Sequence, residues 1–115
     1  MLATVSRTPK VHPTVFAALG DDARLRLVER LRGGQALSIS ALTADSGLTR
    51  QAIRKHLGVL ERAGLVQELR QGREHQFRVD PAPLQAVADW AEAYRRDWED
   101  RFDRLDAFLQ QHKEA

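Results

Sequence analysis

One stretch, residues 48–64, constrains the fold of this chain more than any other because it has the pattern of a single amphipathic helix. Thr49 can cap the helix, since its hydroxyl can accept a hydrogen bond from an unpaired amide of the first turn. Gly64 can take the left-handed conformation that ends helices. Three aliphatic residues between them recur at spacings of four and three residues: Ile53, Leu57 and Leu60. This spacing places them on one helical face, so the sequence predicts a helix whose apolar side is covered by the rest of the chain.

The other side of this helix is polar and basic. It carries Gln51, Arg54, Lys55, Gly58 and Arg62, with Arg50 at the exposed first turn. A helix with an apolar back and a basic front that can donate hydrogen bonds suits the major groove of DNA. A solvated surface helix has the same pattern, and the flanking residues decide between the two interpretations.

The residues before this helix predict a helix-turn-helix. Ser40 is a candidate cap for a short helix over residues 41–46, with Ile39 and Leu42 directed inward, and Gly47 supplies the turn. A short helix, a glycine turn and a second helix with a polar front together make up this motif.

Two further helices are predicted upstream. The first begins at Pro13 and ends at Gly20, because proline suits a first helical turn. The second is capped by Asp21 and ends at Gly33, where two consecutive glycines break the helix.

A β-hairpin is predicted directly after the central helix. Residues 65–70 and 74–79 have the pattern of strands, and a glycine-containing turn at residues 71–73 joins them. Arg70 and Arg73 lie at its tip. Such a hairpin is a wing, which can lie along the DNA backbone or place an arginine in a narrow minor groove.

The C-terminal residues 81–115 have the pattern of one long helix, which Pro81 and Pro83 can initiate. Its apolar stripe has steps of three, four and seven, and an aromatic residue continues it beside Arg101: Leu84, Val87, Ala91, Tyr94, Trp98, Phe102, Leu105 and Phe108. About 28 helical residues extend about 42 Å, more than a small domain needs to cover itself. The stripe therefore predicts a dimer interface, to which the first helix adds Val15, Phe16 and Leu19. A ligand-responsive sensor with an apolar pocket at this interface is the alternative.

Charge and composition narrow the function. Residues 50–78 carry seven basic and three acidic side chains, a net charge of +4, whereas residues 81–115 carry five basic and eight acidic ones, a net charge of −3. The basic centre can meet phosphate and the acidic end cannot. The chain has no cysteine, its four histidines are scattered, and no residues have the pattern of a catalytic site. We therefore expect no metal, no cofactor and no enzyme activity.

No apolar run approaches the length of a membrane span, and the N-terminal residues lack the apolar block of a signal peptide. We therefore expect a cytoplasmic protein with no membrane partner, in which residues 1–12 form a flexible arm.

Two motifs resemble those of a known family. Residues 18–27, Ala-Leu-Gly-Asp-Asp-Ala-Arg-Leu-Arg-Leu, resemble the opening helix pair of ArsR-type (arsenic-repressor-like) winged helix-turn-helix regulators. Residues 48–66, with Lys55-His56-Leu57 and Ala63-Gly64-Leu65-Val66, resemble that family's recognition helix and its exit into the wing. The resemblance covers about residues 13–111 and implies a homodimeric transcriptional regulator, usually a repressor, that binds a palindromic operator.

The departures from the family pattern are informative. Asp22 stands where the family often has proline, and Arg54 stands where a small hydroxyl residue is common, which predicts a different base preference. The arsenic and cadmium sensors of the family place cysteines in the region of residues 38–46, and this chain has none. His112 is the one histidine of the last helix, so a metal-sensing role is not expected.

The fold class predicted is mainly α with a β-hairpin wing, a winged helix-turn-helix DNA-binding domain at residues 13–80 followed by a long dimerisation helix at 81–115. Arg50, Gln51, Arg54 and Lys55 are predicted to approach base edges. The other predicted contacts to double-stranded DNA are mainly to phosphate or the minor groove, with packing as the alternative for the histidine: Thr49, His56, Arg62, Arg70 and Arg73. A winged-helix protein-interaction module without DNA binding is the competing function.

Overall fold

The computed structural model describes residues 10–114, and the predicted N-terminal arm lies almost entirely outside these residues. The described chain forms two compact units, one over residues 11–84 and one that contains the helix from residue 85 onward.

The first unit is a winged helix-turn-helix, which confirms the predicted fold class. Its helices and strands follow in the order α1 (Pro13–Leu19), α2 (Asp22–Arg30), β1 (Leu37–Ser38), α3 (Ile39–Thr43), α4 (Arg50–Arg62), β2 (Val66–Gln71) and β3 (Glu74–Val79), and α5 (Pro81–Glu114) begins at its end. The strands form an antiparallel sheet in the order β1-β3-β2.

The apolar face of α4 forms the centre of the core. Ile53, Leu57 and Leu60 are fully buried, as predicted, together with Leu31 and Leu42 from the preceding helices. Burying an aliphatic side chain of this size stabilises a fold by about 1.5–3 kcal/mol relative to leaving it exposed. The three residues therefore fix which side of α4 faces the protein and which side faces outward.

Capping hydrogen bonds set where α4 begins and ends, and so where the following strand begins. The Thr49 hydroxyl accepts a hydrogen bond from the amide of Ala52 at 3.0 Å, as predicted. Gly64 has a φ of 78°, and the amide of Leu65 donates to the carbonyl of Leu60 at 2.9 Å. Residue 65 therefore closes the helix, and β2 begins one residue later than predicted.

The predicted cap of α3 was wrong. Ser38 accepts the hydrogen bond from the amide of Ala41 at 3.1 Å, and the helix spans Ile39–Thr43 rather than residues 41–46. Ser38 has the extended backbone conformation of a cap because it ends β1, which pairs with β3 through Leu37 and Phe77. This non-local pairing shifts the helix start by two residues.

The second unit, described by itself, is the distal part of α5. The whole helix has 34 residues, more than predicted, and about 51 Å of length. Its start is supported by Asp80, whose carboxylate accepts a hydrogen bond from the amide of Ala82 at 3.0 Å.

Candidate nucleic-acid interface

The outward face of α4 is set by its buried face. Gln51, Lys55, Gly58 and Arg62 follow spacings of four, three and four residues, which places them opposite the core residues of the same helix. The three side chains among them are exposed to solvent. The helix therefore presents a continuous polar strip along its length. It is preceded by the connection of residues 44–49, in which Gly47 has a φ of 74°.

Five basic side chains on α4 and the wing have no hydrogen-bond or ion-pair partner within the described chain: Arg54, Lys55, Arg62, Arg70 and Arg73. Most other arginines are already engaged. Arg26 pairs with Asp22 at 3.3 Å, and Arg30 donates to the carbonyl of Ala41 at 3.1 Å. Lys10, Arg104 and Lys113 are also without such partners within residues 10–113. The unpaired cations are thus concentrated on the helix and hairpin that were predicted to meet phosphate.

Arg50 has a partner inside the motif. Its guanidinium donates to the hydroxyl of Ser40 at 2.7 Å, which ties α4 to α3. Both side chains are exposed, so the bond is weak enough to be exchanged for another acceptor. A base contact by Arg50 stays a prediction and requires that this bond opens.

His56 is partly buried in the protomer, and its contact to DNA stays a prediction. Its side chain is 22% exposed, and Nδ1 lies 3.4 Å from a guanidinium nitrogen of Arg24 and 4.0 Å from the carboxylate of Asp21. His56 comes three residues after Ile53 and four before Leu60, so it flanks the buried face. It packs toward α2, which was the alternative interpretation.

Arg24 is a residue whose role sequence reasoning left undefined. Its Nε donates to the carbonyl of Ala18 at 2.7 Å, and a second guanidinium nitrogen lies 3.4 Å from the carbonyl of Ala17. These carbonyls belong to the last turn of α1, where helical partners run out, although the Ala17 carbonyl also accepts from the amide of Gly20 at 3.2 Å. Arg24 therefore connects α1, α2 and, through His56, α4.

Asp21 completes this cluster as the cap of α2. Its carboxylate accepts a hydrogen bond from the amide of Arg24 at 3.1 Å. That hydrogen bond lowers the pKa of Asp21, and the positive charge of the Arg24 side chain acts in the same direction. The carboxylate therefore stays charged to a lower pH than a free aspartate does.

The wing is a regular antiparallel hairpin. Arg70 pairs in register with His75, Gln71 with Glu74, and Gly72 turns the chain with a φ of 63°. Nδ1 of His75 lies 2.8 Å from a carboxylate oxygen of Glu68. The tip leaves the two arginines exposed, as expected of a wing that meets DNA.

The predicted dimerisation residues of α5 are strongly exposed in the protomer. Tyr94 and Phe102 are 56% and 58% exposed, and the rings of Trp90, Tyr94, Trp98 and Phe102 follow one another at centroid distances of 5.9, 6.5 and 5.8 Å. Leu105 and Phe108 are exposed as well, as is Ala91, while Leu84 and Val87 are half-buried. Trp90 and Leu109, which the prediction omitted, are also exposed and lie four residues from Tyr94 and Leu105.

Val15 is a correction on α1. It is 5% exposed and belongs to the core of the first unit, so its side chain has little surface to offer a partner. Phe16 is exposed and Leu19 is half-buried, and their role in a dimer stays a prediction.

The described part of the chain has neither a cluster of metal-ligating side chains nor a membrane-spanning helix. Residues 10–114 contain no group of three or more histidine, cysteine, aspartate or glutamate side chains placed to hold a metal ion. None of the helices in the same part of the chain combines the length and the apolar character that crossing a membrane requires.

Known proteins with this arrangement are transcriptional regulators. Residues 19–68 match the family described as "Helix-turn-helix domain". The HTH-type transcriptional regulator YuzN of Bacillus subtilis is 38% identical over 85 residues, which cover 68% of this chain and 92% of that protein. An ArsR-like transcriptional regulator from Rhodococcus sp. RHA1 has a solved structure that is 34% identical, with a TM-score of 0.72 over 84% of this chain and 90% of that one.

A solved winged helix-turn-helix domain from Mycobacterium bovis, 22% identical, shares the fold with a TM-score of 0.58 over 76% of this chain and 78% of that one. The helix-turn-helix and the relatives at 34% and 38% identity both indicate a transcriptional regulator. The chain belongs to the ArsR-type family of winged helix-turn-helix transcriptional regulators.

Proposed function

We propose that this regulator is a homodimeric repressor that binds a palindromic DNA operator. The observation that carries the proposal is the set of unpaired cations on α4 and the wing. A cation without an internal partner loses no ion pair when it binds phosphate, and counterions released from the DNA favour the complex.

The outward face of α4 supplies the sequence-specific contacts. Its first two turns carry Gln51, Arg54 and Lys55, all exposed. A glutamine amide matches adenine and an arginine guanidinium matches guanine in the major groove. We therefore expect each half-site to contain a guanine opposite Arg54.

The remaining candidates hold the DNA backbone. Thr49 and Arg62 lie at the two ends of α4, and Arg70 and Arg73 extend along the wing. Contacts of this kind fix the register of a protein on the duplex without selecting a sequence. The wing arginines are also suited to a narrow minor groove, whose negative potential attracts them.

The aromatic ladder of α5 supports dimerisation. Tyr94, Trp98, Phe102 and Phe108 are all exposed on this one helix, and clusters of exposed apolar side chains are typical of protein–protein interfaces. The Mycobacterium bovis protein of the same fold is described as homodimeric. A dimer would present two copies of α4 to half-sites about 34 Å apart, so the operator is expected to be palindromic. Repression follows if the bound dimer excludes polymerase from the promoter.

Binding is tested by fluorescence anisotropy on a duplex of about 30 base pairs, three helical turns, selected from a randomised library by the protein itself. We expect the affinity to fall steeply with salt, since several phosphates are contacted. Arg54→Ala should lower the affinity for the duplex. The matched control is Arg32→Ala, which should leave the affinity unchanged. Arg32 is an exposed arginine that follows α2, and its contact to Glu29 is long, at 3.9 Å.

The competing function predicts a different result. A protein-interaction module would show no salt-dependent binding to any duplex, selected or random. The assembly state is measured by light scattering after gel filtration, and a monomer at the concentration that saturates the operator contradicts the dimer. A reporter gene behind the selected operator distinguishes repression from activation.

A further inference from the structure

Gly58 is an unusual residue for its position. It lies in the interior of α4, where glycine is the least favourable residue after proline. It also belongs to the outward strip with Lys55 and Arg62 rather than to the core face. The helix therefore gives up stability at a point that faces away from the protein.

Nothing within the described protomer requires a glycine there. Gly64 and Gly72 have positive φ angles of 78° and 63°, whereas Gly58 has no such conformation. A Cβ at position 58 would contact one atom, Nη1 at the end of the Arg62 side chain, at 3.4 Å. That distance is an ordinary van der Waals contact with a flexible group.

The side chain of Arg62 occupies the place above Gly58. It starts one turn later and extends back along the helix, so that Nη1 lies over the missing side chain. Arg62 has no hydrogen-bond or ion-pair partner among residues 10–113. The unpaired guanidinium over Gly58, together with Lys55 on the same strip of the helix, supplies positive charge suited to a phosphodiester group.

We propose that Gly58 is the point at which the DNA backbone comes closest to α4, and that Arg62, seated over Gly58, binds a phosphate there. This inference rests on the proposed function and adds a specific contact to it. The missing Cβ allows α4 to lie nearer to the DNA backbone, and the Arg62 guanidinium supplies the positive charge that binds the phosphate. Gly58 is thus a positioning residue, and Arg62 is the ligand of the phosphate.

The test is Gly58→Ala, measured for stability and for DNA binding. Alanine favours a helix interior, so the Tm should rise by about 4 °C. The affinity should fall about tenfold, as expected when one backbone contact is weakened. Because phosphate carries no sequence information, the loss should be similar on the selected duplex and on a random one. A larger residue, in Gly58→Leu, should cost more affinity than alanine.

A matched control is available in Gly33→Ala. Gly33 also lacks a positive φ, and a Cβ there would contact the Gln35 side chain at 3.5 Å. It lies outside α4 and the wing, so its substitution should leave DNA affinity unchanged. Arg62→Ala combined with Gly58→Ala should lose less than the product of the two single effects, since both act on one phosphate.

The outcomes separate this inference from the proposed function. If the wild-type protein binds no duplex, both fail together. If the wild type binds and Arg54→Ala weakens binding while Gly58→Ala does not, the inference about Gly58 alone is overturned. A lower Tm for Gly58→Ala would also overturn it, because the protomer would then need the glycine for its own packing.

Discussion

Arg24→Ala is expected to destabilise the winged unit by about 2 kcal/mol. The substitution removes the hydrogen bond from Nε to the carbonyl of Ala18 at 2.7 Å, the weaker contact to Ala17 and the contact to His56. A hydrogen bond from a charged group is worth about 1.5–3 kcal/mol, and the carbonyls at the end of α1 would be left without this partner. For a domain of this size the Tm should fall by about 10 °C.

The measurement is thermal unfolding followed by circular dichroism, with urea unfolding as a second probe, at one fixed protein concentration because dimerisation contributes to stability. Arg26→Ala is the control on the same helix. Its ion pair with Asp22 is 76% and 80% exposed, so it should cost less than about 0.5 kcal/mol. The loss of stability for Arg24→Lys should lie between those of Arg24→Ala and Arg26→Ala. A lysine ammonium can donate to one of the α1 carbonyls but cannot make all the contacts of the guanidinium.

Equal Tm values for Arg24→Ala and Arg26→Ala would refute the role assigned to Arg24. A loss of DNA affinity without a loss of stability would also contradict it, since that result would place the side chain on the DNA rather than between the helices.

Three other predictions follow from the same geometry. Gln51→Ala should lose about 1–3 kcal/mol on the selected operator and relax the preference at one base pair, whereas Arg73→Ala should weaken all duplexes similarly; equal patterns in a competition assay would contradict the assignment. Trp98→Glu combined with Phe102→Glu should convert the dimer into a monomer while residues 11–84 stay folded, as judged by light scattering and circular dichroism, and a dimer that persists would exclude this stripe as the interface. The Asp21 carboxyl has a lowered pKa, so its contribution is complete above the unfolded value of about 3.8 and is lost as the pH falls through the lower folded value. Asp21→Asn should therefore flatten the acid limb of the stability profile, and an unchanged limb would contradict this.

The core of the fold was predictable because its pattern is local. The spacing of Ile53, Leu57 and Leu60 matches the 3.6-residue repeat of a helix and gives the helix one apolar face. The hydrophobic effect favours burial of that face in any fold that contains the helix. The alternation of β3 and the glycine turn of the wing are local in the same sense, and their bounds agree with those predicted to within one residue.

The parts that were wrong depend on contacts between distant residues. The start of α3 is set by β1, whose pairing with β3 joins Leu37 to Phe77, 40 positions apart. The burial of Val15 depends on how α1 packs in the first unit, and an apolar residue on a short helix suits a core as well as an interface. Periodicity alone does not contain this information.

The central helix shows the division most clearly. The sequence by itself determined that residues 50–62 form a helix with a buried face, a threonine cap and a glycine end, because these features depend on neighbours within a few residues. Only the tertiary structure decided which polar residues are used inside the protomer and which remain available. His56 is held by Arg24, 32 residues away, and Arg50 by Ser40, whereas Arg54, Lys55 and Arg62 have no partner in the described chain. The physical reason is that a charged side chain pairs with the groups that the fold brings near it. Those groups come from distant parts of the chain, so the spacing of residues along the helix does not predict them.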